Sequence, residues 1–309
     1  MIQFQNLRKE YDELVAVNDL SLEIPDGEIY GLIGPNGAGK TTTIRMACGL
    51  LSPTQGEVFI GGINVHREPE RSQQQIGYLS DFFSVYEDLK VWEYLDYFAH
   101  AYKLEKSKIP AMIEEVIAKV GLEVKHDSFI HGLSRGMKQR LGIARALIHK
   151  PKVLLLDEPA SGLDPKARLD LRNLLVKLQE DGCTILISSH ILTELEGFCT
   201  SIGIMEKGKM VRSGRIESIR EAESALRVVR VGWLGPSVAA FASKLAGDTR
   251  ISETVSRDHE CIFKFRGSED ELAALLPELV ATGQRIVAFG EVRQTVEELY
   301  VKISQNQVM

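Results

Sequence analysis

Apolar and polar residues alternate through residues 2–7, the two-residue period of a strand with one buried face. The same reading places short strands at residues 21–24 and at Ile29–Ile33, on either side of a turn at Pro25-Asp26-Gly27. The second of these runs straight into a glycine-rich loop, and residues 41–50 continue as a helix. From about residue 86 the pattern becomes helical through 120, with Trp92, Leu95, Phe98 and Ala99 spaced along one core-facing side. A helix over 135–149 follows the turn Gly132-Leu133-Ser134 and is stopped by Pro151. Then come the apolar strand Val153–Leu156, a helix over 166–180 and a β-branched strand over 183–188. Wholly apolar strands that alternate with helices predict a mostly parallel sheet covered on both faces. The insertion between residues 86 and 150 is expected to form a helical lobe of its own.

A boundary is expected near residues 214–220, which divides the chain into domains 1–215 and 216–309. Beyond it the pattern reads as a strand at 226–233, a helix at 237–246 and strands at 254–256 and 261–265. A helix at Glu269–Val280, a strand at 286–289 and a last helix at 294–304 follow. That β-α-β-β-α-β order predicts a small α+β domain of ferredoxin-like type. The expected fold class is therefore α/β, with antiparallel strands at the N-terminus, an inserted helical subdomain and a small α+β C-terminal domain.

Composition narrows the function classes without choosing one. A chain of 309 residues can hold one large and one small domain, and 44% apolar with 26% charged residues is ordinary for a globular protein. A net charge of −6 and a pI near 5.8 argue against a basic nucleic-acid platform. Cys48, Cys183, Cys199 and Cys261 lack the paired spacing of a zinc site and read as reduced, buried thiols of a cytoplasmic protein. No basic segment followed by an apolar run suggests a secretory signal, and no stretch reaches the ~20 apolar residues of a membrane helix.

The chemistry is concentrated in two elements. Gly34-Pro35-Asn36-Gly37-Ala38-Gly39-Lys40-Thr41 matches G-x-x-x-x-G-K-[ST], and Thr42 continues it. Its glycines let successive backbone N–H groups curl round phosphates, while the following helix points its positive end at them. Lys40 is placed to reach the β- and γ-phosphates of ATP, and the Thr41 hydroxyl to bind Mg²⁺. The second element is the buried strand Val153–Leu156 ending in Asp157 and Glu158, which a parallel sheet delivers beside the loop. Asp157 is expected to hold Mg²⁺ through water, and Glu158 to orient and deprotonate the attacking water.

With both elements in place, the chain resembles the nucleotide-binding subunit of ATP-binding-cassette (ABC) transporters over about residues 1–215. Leu133-Ser134-Arg135-Gly136-Met137-Lys138-Gln139-Arg140 is similar to the LSGGQ-x-QR signature of that family. Ser161-Gly162-Leu163-Asp164 looks like its D-loop, His190 after Ser188-Ser189 like its switch histidine, and Tyr11 like its adenine-stacking aromatic. The resemblance implies that Ser134, Arg135, Gly136, Met137 and Asp164 complete the ATP site of an opposite subunit. Lys40, Glu158 and His190 are then the catalytic set, with His190 sensing the γ-phosphate. It also implies a partner cassette, most simply a second copy, and a separate membrane permease, with the chain peripheral on the inner face of the cell membrane.

Three residues depart from the family pattern. Arg135 stands for the first signature glycine, Met137 for its glutamine, and Asp81, in Ile76-Gly77-Tyr78-Leu79-Ser80-Asp81, for the glutamine of a loop that reaches Mg²⁺. Gly136, needed for close backbone approach, is kept. Such variants suit the branch resembling ABC-2-type exporters, and residues 291–300 resemble the tail of drug- and lipid-exporting members. The alternatives are an importer motor, or a soluble ABC ATPase acting on DNA or ribosomes. The acidic balance, the single cassette and the compact helical insertion all speak against the soluble one.

Overall fold

The chain opens with a long hairpin, β1 (Ile2–Tyr11) and β2 (Leu14–Ile24), which β4 (Gln55–Ile60) and β5 (Ile63–Asn64) extend into an antiparallel sheet of order β2-β1-β4-β5. The hairpin runs further than the alternation alone predicts, because its reversal lies at Asp12, whose φ of 44° is the left-handed value a tight turn needs. A second sheet holds β3 (Ile29–Ile33), β6 (Ile76–Leu79), β7 (Val153–Leu156), β8 (Thr184–Ser189) and β9 (Ser201–Glu206), all parallel. β10 (Lys209–Arg215) pairs antiparallel with β9, giving the order β10-β9-β3-β8-β7-β6. β3, β7 and β8 are buried at every position, as expected of parallel strands covered on both faces.

The computed structural model describes residues 1–191, 194–195, 197–216, 218 and 227–292. It separates into two compact units, Met1–Arg215 and Ile216–Met309. In the first, one core joins Phe4, Val17, Leu20 and Val58 of the antiparallel sheet to Leu155 and Leu186 of the parallel one. Ile44 and Met46, from the helix α1 (Lys40–Ala47) that follows the glycine loop, belong to the same core.

Among its described residues this unit also holds the α-helices α2 (Pro69–Gln73), α3 (Val91–Ala101), α4 (Ile109–Lys119), α5 (Arg135–Leu147) and α6 (Pro165–Glu180). The helical stretch expected from 86 to 120 is thus two helices. Lys103, in a left-handed conformation (φ 56°), ends the first, and Pro110 sits in the first turn of the second, where its missing N–H costs nothing. Leu95 and Ala99 are fully buried, in keeping with a core role.

The second unit runs β11 (Arg227–Leu234), α7 (Ala239–Gly247), β12 (Ile251–Arg257), β13 (Glu260–Phe265), α8 (Glu269–Val280) and β14 (Arg285–Glu291). Its antiparallel sheet has the order β12-β13-β11-β14, the ferredoxin-like arrangement. Val229, Val231, Phe263 and Phe265 face Phe241, Leu272 and Leu275 of its helices. Ser268 and Glu271 cap α8 reciprocally, the sequence signature of a helix start. The helix expected at 294–304 lies outside the described residues.

Candidate active site

In a parallel sheet, binding residues gather beyond the carboxyl ends of the strands. Here four neighbouring strands end together: β3 in Gly34, β8 in His190, β7 in Asp157-Glu158 and β6 in Ser80-Asp81. The register fixes their level, with Ile33 beside Ser189 and Leu79 beside Leu156. Gly34 N donates to Ser189 O (3.3 Å) and Asp157 N to Leu79 O (2.9 Å), so the ladder continues into the loops that carry the chemistry.

The glycine loop is held from both sides. Gly39, at φ 103°, lies so close to β2 that a Cβ there would stand 2.5 Å from Ala16 O. From the other side, Gly208 N donates to Ala38 O (3.0 Å), and Asn18 N donates to Gly208 O (2.8 Å). Lys40 is 5% exposed. Its ammonium donates to Gly34 O (2.6 Å) and Pro35 O (3.3 Å) and lies 3.2 Å from Glu158 Oε1. Asn36 and Gly37 form the exposed crest of the loop, and Thr42 is half-buried on the first turn of α1.

Glu158 is gripped at both carboxylate oxygens. Oε1 faces Lys40, while Oε2 accepts from His190 Nδ1 (2.8 Å) and from the His190 backbone N–H (3.3 Å). The first of those contacts fixes the proton on Nδ1. The main chain of Glu158 is held at φ 49°, a left-handed value that costs a non-glycine residue of order 1 kcal/mol and persists where its surroundings enforce it. One enforcing contact is Glu158 N donating to Ser188 Oγ (2.9 Å).

The Ser188 hydroxyl in turn donates to Asp157 Oδ1 (2.7 Å), which also accepts from Thr41 Oγ1 (3.1 Å). Ser188 is fully buried and orients both acids, a role that the motifs by themselves do not reveal. Its sequence signal is the Ser188-Ser189 pair that closes β8 before His190. The Thr41 hydroxyl and the Asp157 carboxylate place two hard oxygens side by side at the foot of the loop. That donor set fits Mg²⁺, which takes one or two protein oxygens together with phosphate and water. Asp81 feels the same cluster: burial first, then the charges of Asp157 and Glu158, raise its carboxyl above the ordinary aspartate value. Arg135 and His190 pull it back down.

The signature residues lie apart from this cluster. Among the described residues, no hydrogen bond joins Ser134, Gly136, Met137 or Asp164 to Lys40, Thr41, Asp157 or Glu158. Ser134 caps α5, its hydroxyl accepting from Met137 N (3.3 Å), and Asp164 caps α6, accepting from Ala167 N (2.8 Å). Arg135 reaches back to its own chain, with Nη2 donating to Ser161 O (2.8 Å). Tyr11 ends β1 with 42% of its surface exposed and the Lys9 ammonium 5.1 Å from its ring centre. All four cysteines are free and buried.

The sequence model of the ABC transporter family matches residues 17–161. The chain is 36% identical over 252 residues to the Nod factor export ATP-binding protein I of Burkholderia orbicola (strain AU 1054), covering 82% of each chain. It is 33% identical over 312 residues to the uncharacterized ABC transporter ATP-binding protein YhcH of Bacillus subtilis (strain 168), covering 98% of this chain and 96% of the relative. Among solved structures it is similar to the dimeric post-hydrolysis state of the ATP-binding cassette MJ0796 bound to ADP and Pi. That likeness has a TM-score of 0.63 at 27% identity and covers 70% of this chain and 99% of the other.

Proposed function

The chain belongs to the ABC transporter family, as an ATP-binding ATPase subunit, and from that premise we propose that it drives export through a separate membrane permease as one half of an ATP-closed pair of cassettes. Met1–Arg215 is the ATPase domain in this reading, and Ile216–Met309 an accessory domain. The observation that carries it is the chain of contacts Lys40–Glu158–His190 set against Thr41–Asp157.

ATP lies along the glycine loop, with the adenine against Tyr11 and the phosphates against the backbone of Gly34 to Thr42. Binding draws the Lys40 ammonium from Glu158 Oε1 to the phosphates and frees that oxygen for the attacking water. His190 keeps Oε2 in place while Glu158 takes the proton, the task of a general base. Thr41 and Asp157, together with Asp81, would hold Mg²⁺, which when bound would neutralise phosphate charge. Ser134, Gly136, Met137 and Asp164, at two helix N-termini, serve the phosphate bound by the other cassette.

Membrane coupling is assigned to the face around residues 81–97. Phe82, Tyr86 and Tyr97 are 87%, 55% and 54% exposed there, an unusual aromatic display for a free surface. An open depression lined by Val85, Tyr86, Glu87, Asp88, Leu89 and Tyr97 lies in the same place. No described helix is long and apolar enough to cross a membrane; in this reading the pore is supplied by another chain. The export direction is supported by the name of the Nod factor relative.

Glu158→Gln tests the mechanism: it should accumulate an ATP-bound dimer by light scattering and lose turnover. A variant that stays monomeric at saturating ATP overturns the paired-cassette reading. Co-expression with the permease should stimulate the wild-type ATPase. Stimulation by DNA or ribosomes in its place favours the soluble alternative.

A further inference from the structure

We propose that Arg135 is a positioning residue that ties the N-terminus of the signature helix α5 to the turn carrying Glu158, so that each ATP site of the pair is linked to the other through one guanidinium. The inference rests on the two-site reading above and adds a route inside a single chain.

The contact is specific in shape as well as charge. Arg135 Nη2 donates to Ser161 O at 2.8 Å, and the guanidinium lies flat on the backbone of Gly162. A Cβ built on Gly162 would stand 2.4 Å from Cζ and from both Nη atoms, and Gly162 itself is at φ 64°. The left-handed φ favours glycine there, and any side chain would have to displace the end of Arg135. One residue further along α5, a Cβ on Gly136 would stand 2.9 Å from Ala167 Cβ on α6, so the two helix starts meet through small residues.

The link continues to the water-activating acid. Ser161 N donates to Glu158 O (3.1 Å), which closes a turn that begins at the strained Glu158 backbone. Two hydrogen bonds therefore separate the Arg135 side chain from the main chain of Glu158. At one end of this link Ser134 and Gly136 face the partner's nucleotide; at the other, Glu158 faces its own. A planar fork is needed to lie on Gly162 and reach Ser161 together, so lysine is a poor substitute.

The test uses the full chain with Arg135→Gly and Arg135→Lys, each alone and with Glu158→Gln. Both should lower kcat about tenfold, the loss expected for one charge-assisted hydrogen bond, with KM for ATP within about twofold. Cooperativity in ATP should fall, while the ATP-trapped dimer of the double variants persists. Unchanged kcat and cooperativity overturn the proposal and leave the two-site reading standing. Loss of the trapped dimer also overturns it, by making Arg135 a direct ligand of the partner's phosphate. A wild-type chain with neither cooperativity nor an ATP-dependent dimer overturns both.

Discussion

The two ends of the proposed catalytic unit are built in opposite ways. The phosphate-loop end is interior: Lys40 and Asp157 are 5% and 2% exposed, Ser188 is fully buried, and Ser188 and Lys40 tie the strand-end acids to neighbouring elements. The signature end is surface. Ser134, Arg135 and Asp164 are exposed, and the side chains of Ser134 and Asp164 cap the helices they begin. A site made from ends of one parallel sheet is fixed as the chain folds, because register sets its distances. The two helix N-termini at the surface are capped only by their own Ser134 and Asp164 side chains and face outward. In the proposed reading, this contrast lets one chain bind nucleotide by itself while a second chain completes the site.

The largest effect that can sharpen this contrast is at His190. His190→Ala removes the imidazole hold on Glu158 Oε2 and leaves only the backbone N–H, and turnover should fall about 10²-fold or more while ATP affinity changes little. Parallel losses of kcat and affinity would break the assignment, since the interior end would then bind through His190. A smaller effect is expected at the surface end. Ser134→Ala removes the cap of α5, at a cost of about 1 kcal/mol to that helix, and should weaken ATP-driven dimerisation. Nucleotide binding to the isolated chain should stay the same by fluorescence titration. If binding to the monomer weakens instead, the two ends are not separable.

How much of this was legible depends on how local each feature is. The glycine loop, Asp157-Glu158 and His190 sit at the ends of continuous apolar runs, so their meeting follows from a parallel sheet. β4 to β6, β9 and β10 went unread: they are two to seven residues long, and several mix polar with apolar positions. The division of the lobe into α3 and α4 turns on Lys103 and Pro110, which interrupt a helical period without erasing it. Ser188 was hidden because its partners, Asp157 and Glu158, lie about thirty residues away on a neighbouring strand. Arg135 was visible as an oddity in the signature, but the sequence does not say where its guanidinium goes. Contact with Ser161, 26 residues on, comes from the packing of α5 against α6.

Asp81 gives the smallest expected effect and the finest test of where the interior end stops. Its carboxyl is raised by burial and by the charges of Asp157 and Glu158, so the ionised form is less favourable in the folded chain than in the unfolded one. A folded value above the unfolded one means that stability is lost as pH rises through the folded value, and is recovered below the unfolded value. Asp81→Asn should therefore give a small rise in Tm at neutral pH, a gain that disappears in acid where the wild-type carboxyl is already protonated. If Asp81 belongs to the interior end, the gain should shrink when Asp157→Asn removes one of the charges that oppose it. A gain independent of pH and of Asp157 would place Asp81 outside the cluster, as a solvated loop residue, and would leave the interior end bounded by β7.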